Sequence, residues 1–389
     1  MTQVQSTHPL LLRPSEAVGT FRIVRRLATG GYGALFLAEC ETRRPVALKF
    51  ALHGRTPGDE GRVDARAIKE ANVLMQLTHP NVVELLGFQR WPDARDGYLC
   101  LILGYVEGPT LSEWALRCHP SPRRVAEVFA EVALTLDAVH REGVRHRDVK
   151  GSNIIIRASD GQPVLVDFGS GDHACAQPLT EGSLPPGTPS YRSPEALRFW
   201  TQPRERGSRY RFMPTDDLYS LGLVFHEVLT GAFPYPAHLP PSALLASIES
   251  STLRPPSLLN PRVPPALDPI VLRLLHPRAD GRYASGAEVY GALRAAVERA
   301  DSEWDVPLFP RPAPQEAVTE EAEELFDGDE EARELRQWMR APERLGVWDS
   351  DSGPAPSRTP PTEPAREAPA WLRGLRGALA ALRPRWRKG

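Results

Sequence analysis

Residues 144–153 read Val-Arg-His-Arg-Asp-Val-Lys-Gly-Ser-Asn, and Asp-Phe-Gly follows at 167–169. Asp148 can accept the proton of an attacking hydroxyl, and Lys150, two positions on, can neutralise a transferred phosphoryl group. Asn153 and Asp167 supply the oxygen donors that a hard cation such as Mg2+ prefers. The set is built for phosphoryl transfer, where positioning and charge stabilisation do most of the catalytic work. Lysine usage sharpens the reading. Only four of the 47 basic residues are lysines, and two of them, Lys49 and Lys150, fall inside chemical motifs. A compact ammonium and a wide planar guanidinium are not interchangeable, so these two positions need lysine for geometry.

Upstream, Gly30, Gly31 and Gly33 stand between two alternating apolar/polar runs, Phe21 to Ala28 and Ala34 to Glu39. A strand, a glycine turn and a strand let backbone approach phosphate oxygens closely. Alone the cluster is a weak signal, because most such glycines are ordinary hairpin turns. Val46-Ala47-Leu48-Lys49 then puts a lysine on the next strand, where it can reach phosphates if a carboxylate holds it. Glu70, on the helix expected from Asp64 to Leu77, is the natural partner.

The elements around these residues divide the chain. Two more apolar strands follow near Val82 to Phe88 and Tyr98 to Tyr105, after which the pattern turns helical, with long segments at Pro122 to Arg141 and Asp217 to Leu229. The first hundred residues are mainly sheet and the next two hundred mainly helix. Residues 1 to 16 read as an arm, with order beginning near Phe21. Around Asp301 the composition turns rich in proline, alanine and acid, with a dense carboxylate run from Glu316 to Glu334, which reads as a disordered linker over 301–370. Residues 371–389 reverse the sign and carry no acid.

The formal net charge of −2 gives no general pull towards nucleic acid, and no nucleic-acid partner is expected. Cys40, Cys100, Cys118 and Cys175 lack paired or metal-ligand spacing, no charged-then-apolar leader is visible and no run of about 18 apolar residues exists, so a cytoplasmic location is expected.

The catalytic run and Asp167-Phe168-Gly169, with Gly187-Thr188-Pro189-Ser190-Tyr191-Arg192-Ser193-Pro194-Glu195, Asp217-Leu218-Tyr219-Ser220-Leu221-Gly222 and Arg282, make the chain resemble the eukaryotic-type protein kinase family, specifically the bacterial Ser/Thr kinases. The resemblance runs from about Phe21 to Ala300. It implies an α+β, two-lobed fold: a small antiparallel sheet plus one helix over 17–103, packed on a larger helical lobe over 107–300. It implies ATP and Mg2+ in the cleft, with Leu27, Gly30, Gly31, Gly33, Ala47, Lys49, Leu103 and Tyr105 around the nucleotide. Asn153 and Asp167 would hold the metal, and Asp148, Lys150, Lys49 and Glu70 would carry the chemistry. It further implies a structural Glu195–Arg282 ion pair, an Asp217 that orients the catalytic loop through backbone amides, and His146 as a packing residue. Lys150 and Thr188 together are similar to the Ser/Thr-specific pattern, so protein serines and threonines are the expected acceptors. Arg147 resembles kinases switched on by activation-segment phosphorylation, with Thr180 or Ser183 as the acceptors.

Three departures matter: Ala28 where the loop's first glycine is usual, Gly104 for an acid at the hinge, and a long aromatic connection over 198–214. That connection reads as a packed loop, with a docking surface as the alternative. A scaffold without catalysis is the rival reading, disfavoured because Lys49, Glu70, Asp148, Asn153 and Asp167 are all present. A small-molecule phosphotransferase is disfavoured by the complete segment ending at Pro194-Glu195. In the tail, Trp371, Leu372, Leu375, Ala378, Leu379 and Leu382 recur at helical spacing opposite Arg373, Arg376 and Arg383, an amphipathic pattern suited to peripheral membrane or partner contact. The competing expectations are disorder, or folding onto the acidic run.

Overall fold

The computed structural model describes residues 8–30, 33–52, 60–169, 172–173, 188–202, 208–236 and 238–310. Strands β1 (Ala17–Val18), β2 (Phe21–Gly30), β3 (Gly33–Glu39) and β4 (Pro45–Ala51) come first, then helix α1 (Glu60–Gln76), then β5 (Leu85–Trp91) and β6 (Tyr98–Gly104). The six strands form one antiparallel sheet in the order β1-β2-β3-β4-β6-β5. Beyond it the chain is mainly helical, with α2 (Leu111–Cys118), α3 (Pro122–Arg141), α4 (Pro194–Thr201), α5 (Pro214–Thr230), α6 (Pro241–Ser250), α7 (Pro256–Leu259), α8 (Asp268–Leu274) and α9 (Gly286–Glu298). Two small ladders lie between α3 and α4: β7 (Val144–Arg145) with β10 (Asp172–His173), and β8 (Ile154–Ile156) with β9 (Pro163–Leu165). The fold is two-lobed α+β.

Strand alternation positions the first site residue. Val46, Leu48 and Phe50 share one face of β4 and are buried with Phe36 and Trp91, whose rings meet Phe50 edge-on at 5.9 Å. Ala47 and Lys49 therefore face the other way. Burying a Leu or Phe side chain is worth about 1.5–3 kcal/mol, so a one-residue slip that drove Lys49 into that apolar face is strongly disfavoured. On α1, Ala67, Ala71, Val73 and Leu74 are buried, and Glu70 is only 3% exposed among them.

In the large lobe α3 starts at a Ser121 N-cap with Pro122 in the first turn, and its apolar face forms the centre of the main core. Phe129 stacks on Phe225 of α5 at 4.4 Å. Helix α9 packs so closely on α3 that a Cβ on Gly286 would lie 2.0 Å from the Ala133 carbonyl oxygen. Only glycine fits there, and the neighbouring Ala287 N–H donates to Asp137 at 3.1 Å.

The ordered domain exceeds both bounds expected from composition. Before Phe21, a short helical turn at Pro9–Leu11 leads to β1, and Leu12 and Val18 are buried against Ile23 and Phe36. The arm reading is thereby corrected for residues 8–16: one three-residue turn and a single buried leucine are too little to show a period. After Asp301, Trp304 and Leu308 are buried, the Leu308 N–H donates to Pro120 O at 3.0 Å, and Arg123 pairs with Asp305 at 2.7 Å. The linker boundary is therefore corrected to beyond Phe309. Two apolar anchors suffice to dock a segment whose composition looks like linker. No helix among the described residues is long and apolar enough to cross a membrane.

Glu195 and Arg282 form the ion pair that the sequence implied. The fully buried Arg282 guanidinium donates to Glu195 at 3.0 and 2.8 Å and to the carbonyls of His276 and Thr215, and lies 4.7 Å from the Tyr219 ring centroid. Glu195→Gln strips the counter-charge from a buried cation and is expected to cost about 3 kcal/mol, read as a lower urea midpoint. A midpoint equal to wild type would show that the backbone carbonyls alone hold Arg282.

Candidate functional site

Lys49 is the hub of the upper half of the cleft. Its Nζ donates to Glu70 Oε1 and Oε2 at 2.7 and 2.8 Å and to Asp167 Oδ1 at 2.7 Å. Burial alone would lower the Lys49 pKa, but the two carboxylates outweigh it and raise it, so the ammonium stays charged. Lys49 in turn holds the Asp167 carboxyl down at about 2, against the effect of burial. Burial pushes Glu70 upward, opposed by Lys49 and by the Phe168 N–H. Asp167 has a left-handed backbone, φ +61°, and Gly169 N–H donates to its Oδ1 at 3.2 Å. An αL aspartate is held at a cost on the order of 1–3 kcal/mol, the kind of strain that collects at functional sites.

Asp148 is the hub of the lower half. Its Oδ1 accepts from Thr188 N at 3.2 Å and Thr188 Oγ1 at 3.3 Å, while Oδ2 accepts from Asn153 Nδ2 at 3.0 Å and lies 3.2 Å from Lys150 Nζ. Lys150 Nζ also donates to Thr188 Oγ1 at 3.1 Å. With Nδ2 spent on the Asp148 carboxylate and carbonyl, Asn153 keeps the lone pairs of its amide oxygen for a cation or a hydrogen-bond donor. The Asn153 carbonyl accepts from Val166 N–H at 3.0 Å, which ties the 3-10 turn at Gly151–Asn153 to the residue before Asp167.

Both halves rest on buried anchors. Asp217, 1% exposed near the start of α5, accepts from His146 N at 2.9 Å and Arg147 N at 2.8 Å, and its Oδ2 lies 2.8 Å from His140 Nε2. Burial works against the Asp217 charge, but His140 and the loop amides prevail and hold its pKa at about 2. His146 packs on Phe168 with ring centroids 4.6 Å apart and lies 3.1 Å from Val166 O. Arg147, next to Asp148, is also left-handed at φ +68°.

The residues assigned to the nucleotide divide into three groups. Ala47 pairs with Leu103 across β4 and β6, both buried, and Leu27 and Tyr105 are partly buried against the main core. Gly30 pairs with Gly33 at the end of the β2–β3 hairpin. A Cβ on Gly33 would come 2.9 Å from Phe50 O, so sheet packing also demands this glycine. Gly31, Cys175, Thr180, Ser183, the acidic run and the tail at 371–389 lie outside the described residues. In the 198–214 connection Tyr210 and Phe212 pack inward, as the packed-loop reading expects, while Trp200 is 40% exposed.

The oxygen-only pair Asn153 and Asp167, the latter with a side chain 46% exposed, suits Mg2+, which takes one or two protein ligands and fills its shell from phosphates and water. The fixed charge of Lys49 beside them suits a polyphosphate. Sequence reasoning missed His140 and Arg192. His140 gives no signal beyond a polar residue late in α3. Arg192 is 4% exposed and donates to Arg147 O at 3.2 Å, and its only signal is a charge within an otherwise neutral run.

Comparison with known proteins finds one matching family and several relatives. The protein kinase domain family matches residues 21–282. The chain is 30% identical over 316 residues to serine/threonine-protein kinase PknH of Mycobacterium tuberculosis, covering 79% of this chain and 47% of that protein. It is 33% identical over 287 residues to Pkn1 of Myxococcus xanthus (72% and 38%), and 32% identical over 293 residues to PknE of Mycobacterium bovis (75% and 48%), both named serine/threonine-protein kinases. The chain spans about half the length of the curated relatives it matches.

Proposed function

The chain belongs to the protein kinase family, in its eukaryotic-type form and similar to the bacterial kinases, and from that premise we propose that it transfers the γ-phosphoryl of ATP to serine and threonine hydroxyls of proteins. The observation that carries this reading is the Asp148 carboxylate, oriented at once by Thr188, Asn153 and Lys150. A hydroxyl presented there would give its proton to Asp148 as it attacks. Lys150, bridging Asp148 and Thr188, would offset charge on the transferred group. Lys49, kept charged by Glu70, would hold the phosphates, and its third donor, spent here on Asp167, is the one a phosphate oxygen would take. Asn153 and Asp167 would hold Mg2+, which would supply neutralisation of phosphate charge. The Lys150–Thr188 contact, together with the names of the relatives, supports Ser/Thr acceptors over tyrosine.

The same proposal includes activation by phosphorylation of Thr180 or Ser183, with Arg147 receiving the phosphate, and a cytoplasmic setting with the 371–389 tail as a membrane or partner contact. A non-catalytic scaffold would need none of the charge pairing around Lys49. Phosphosite mapping after incubation with Mg-ATP, beside an Asp148→Asn control, tests the reading. Phosphoserine and phosphothreonine are expected in the wild type alone. Phosphotyrosine as the main product would overturn the acceptor class, and no incorporation into the chain or a test protein would overturn catalysis.

A further inference from the structure

The Phe212 ring, 6% exposed, carries two guanidinium groups: Arg147 at 4.7 Å and Arg192 at 5.2 Å from its centroid. Arg147 immediately precedes Asp148. Arg192 belongs to the segment whose Thr188 binds Asp148. One aromatic side chain therefore touches both strands of chain that orient the Asp148 carboxylate. The peptide at Arg147 is restrained from each end, its N–H by Asp217 at 2.8 Å and its carbonyl by Arg192 at 3.2 Å. A guanidinium over a ring face is attracted by the ring quadrupole, more so when desolvated. Here the attraction holds two like charges close together, although Arg147 and burial both work to lower the Arg192 pKa.

The ring itself is packed against a second aromatic side chain. Tyr210 meets Phe212 edge-on at 4.7 Å and donates to Asp216 at 2.8 Å, while Phe199 packs on Tyr210 at 5.3 Å. Asp216 also accepts from Ser193 Oγ, next to Arg192, and from Met213 N–H, next to Phe212. Phe199, Tyr210 and Phe212 thus form a packed aromatic support beside the catalytic loop.

We infer that Phe212 is a positioning residue for phosphoryl transfer: by holding Arg147 and Arg192 on one ring it keeps Asp148 aligned. The inference rests on the kinase reading above. Leucine at this position keeps the site apolar but has no π face, whereas tyrosine keeps the face. Steady-state kinetics of the full chain on a Ser/Thr peptide that the wild type phosphorylates, with ATP varied, separates the cases. For Phe212→Leu, kcat is expected to fall about tenfold to a hundredfold, the size of a small misplacement of a reacting group. KM for ATP should stay near wild type, since Lys49 and Asp167 lie outside this contact, and Phe212→Tyr should restore kcat. A Leu variant with wild-type kcat, a Tyr variant as slow as the Leu variant, or a rise in KM for ATP matching the fall in kcat would each overturn the inference. Arginine side-chain NMR gives a reading free of turnover. Ring-current-shifted Nε–H signals of Arg147 and Arg192 should be present in the wild type and absent in Phe212→Leu, and unshifted wild-type signals overturn the shared-ring geometry. If those signals are shifted but the wild type transfers no phosphate, the kinase reading fails while the placement of the two arginines stands.

Discussion

Lys49→Met is expected to remove phosphotransfer from this chain, with a loss of at least about 10²–10³ in rate, the scale for deleting one preorganised charge donor. Methionine fills the space of the lysine stem but cannot pair with phosphate. It also leaves Glu70, 3% exposed, with no ammonium beside it, so the burial that already pushes this carboxyl upward goes unopposed by its main partner. Asp167 loses the charge that holds its pKa at about 2. On the proposed mechanism, one substitution would therefore disturb the phosphate contact and one metal donor together. Lys49→Arg should fare little better, because a planar guanidinium cannot reproduce three short contacts converging on one nitrogen. A radiolabelled ATP assay decides, and transfer at the wild-type rate in the methionine variant would remove Lys49 from the mechanism.

Asp148→Asn should lower kcat by about 10²–10⁴, the usual worth of a positioned general base. The amide is nearly isosteric and its oxygen can still accept from Thr188. Its NH2, however, would face the donors Asn153 Nδ2 and Lys150 Nζ that now converge on Oδ2. KM for ATP should change less than kcat, because Lys49 and Asp167 are held together by contacts that do not include Asp148. Unchanged kcat would mean that the hydroxyl proton leaves by another route, and a large rise in KM with kcat intact would make Asp148 a binding group.

Much of this arrangement was legible in the sequence because it is local or periodic. The run from Val144 to Asn153 places Asp148, Lys150 and Asn153 on one short loop, and β4 alternation alone turns Lys49 away from the Phe36–Phe50 face. Helix α3 runs over Pro122–Arg141, where its apolar spacing put it. What escaped depends on contacts between distant segments. Nothing in the spacing of Phe212 or Arg192 tells that they meet Arg147, and His140 reaches Asp217 across 77 residues. The anchors Trp304 and Leu308 were hidden by their surroundings: two buried side chains decide the docking, while the prolines and acids around them dominate composition.

Docking of Leu308 on Pro120 also sets a schedule. The two residues are 188 positions apart (308 − 120), and α9 meets α3 just before that contact, at Gly286 on Ala133 and Ala287 on Asp137. At a ribosomal pace of about 5–20 residues per second, α3 leaves the exit tunnel roughly 10–40 s before the segment that closes over it. Until Gly286 follows Ala133, 153 positions later (286 − 133) and so after about 8–30 s, the nascent chain shows the α3 surface around Ala133 without its cover. Shielding of that surface during translation is therefore expected to raise the yield of folded chain without any change in the stability of the finished fold.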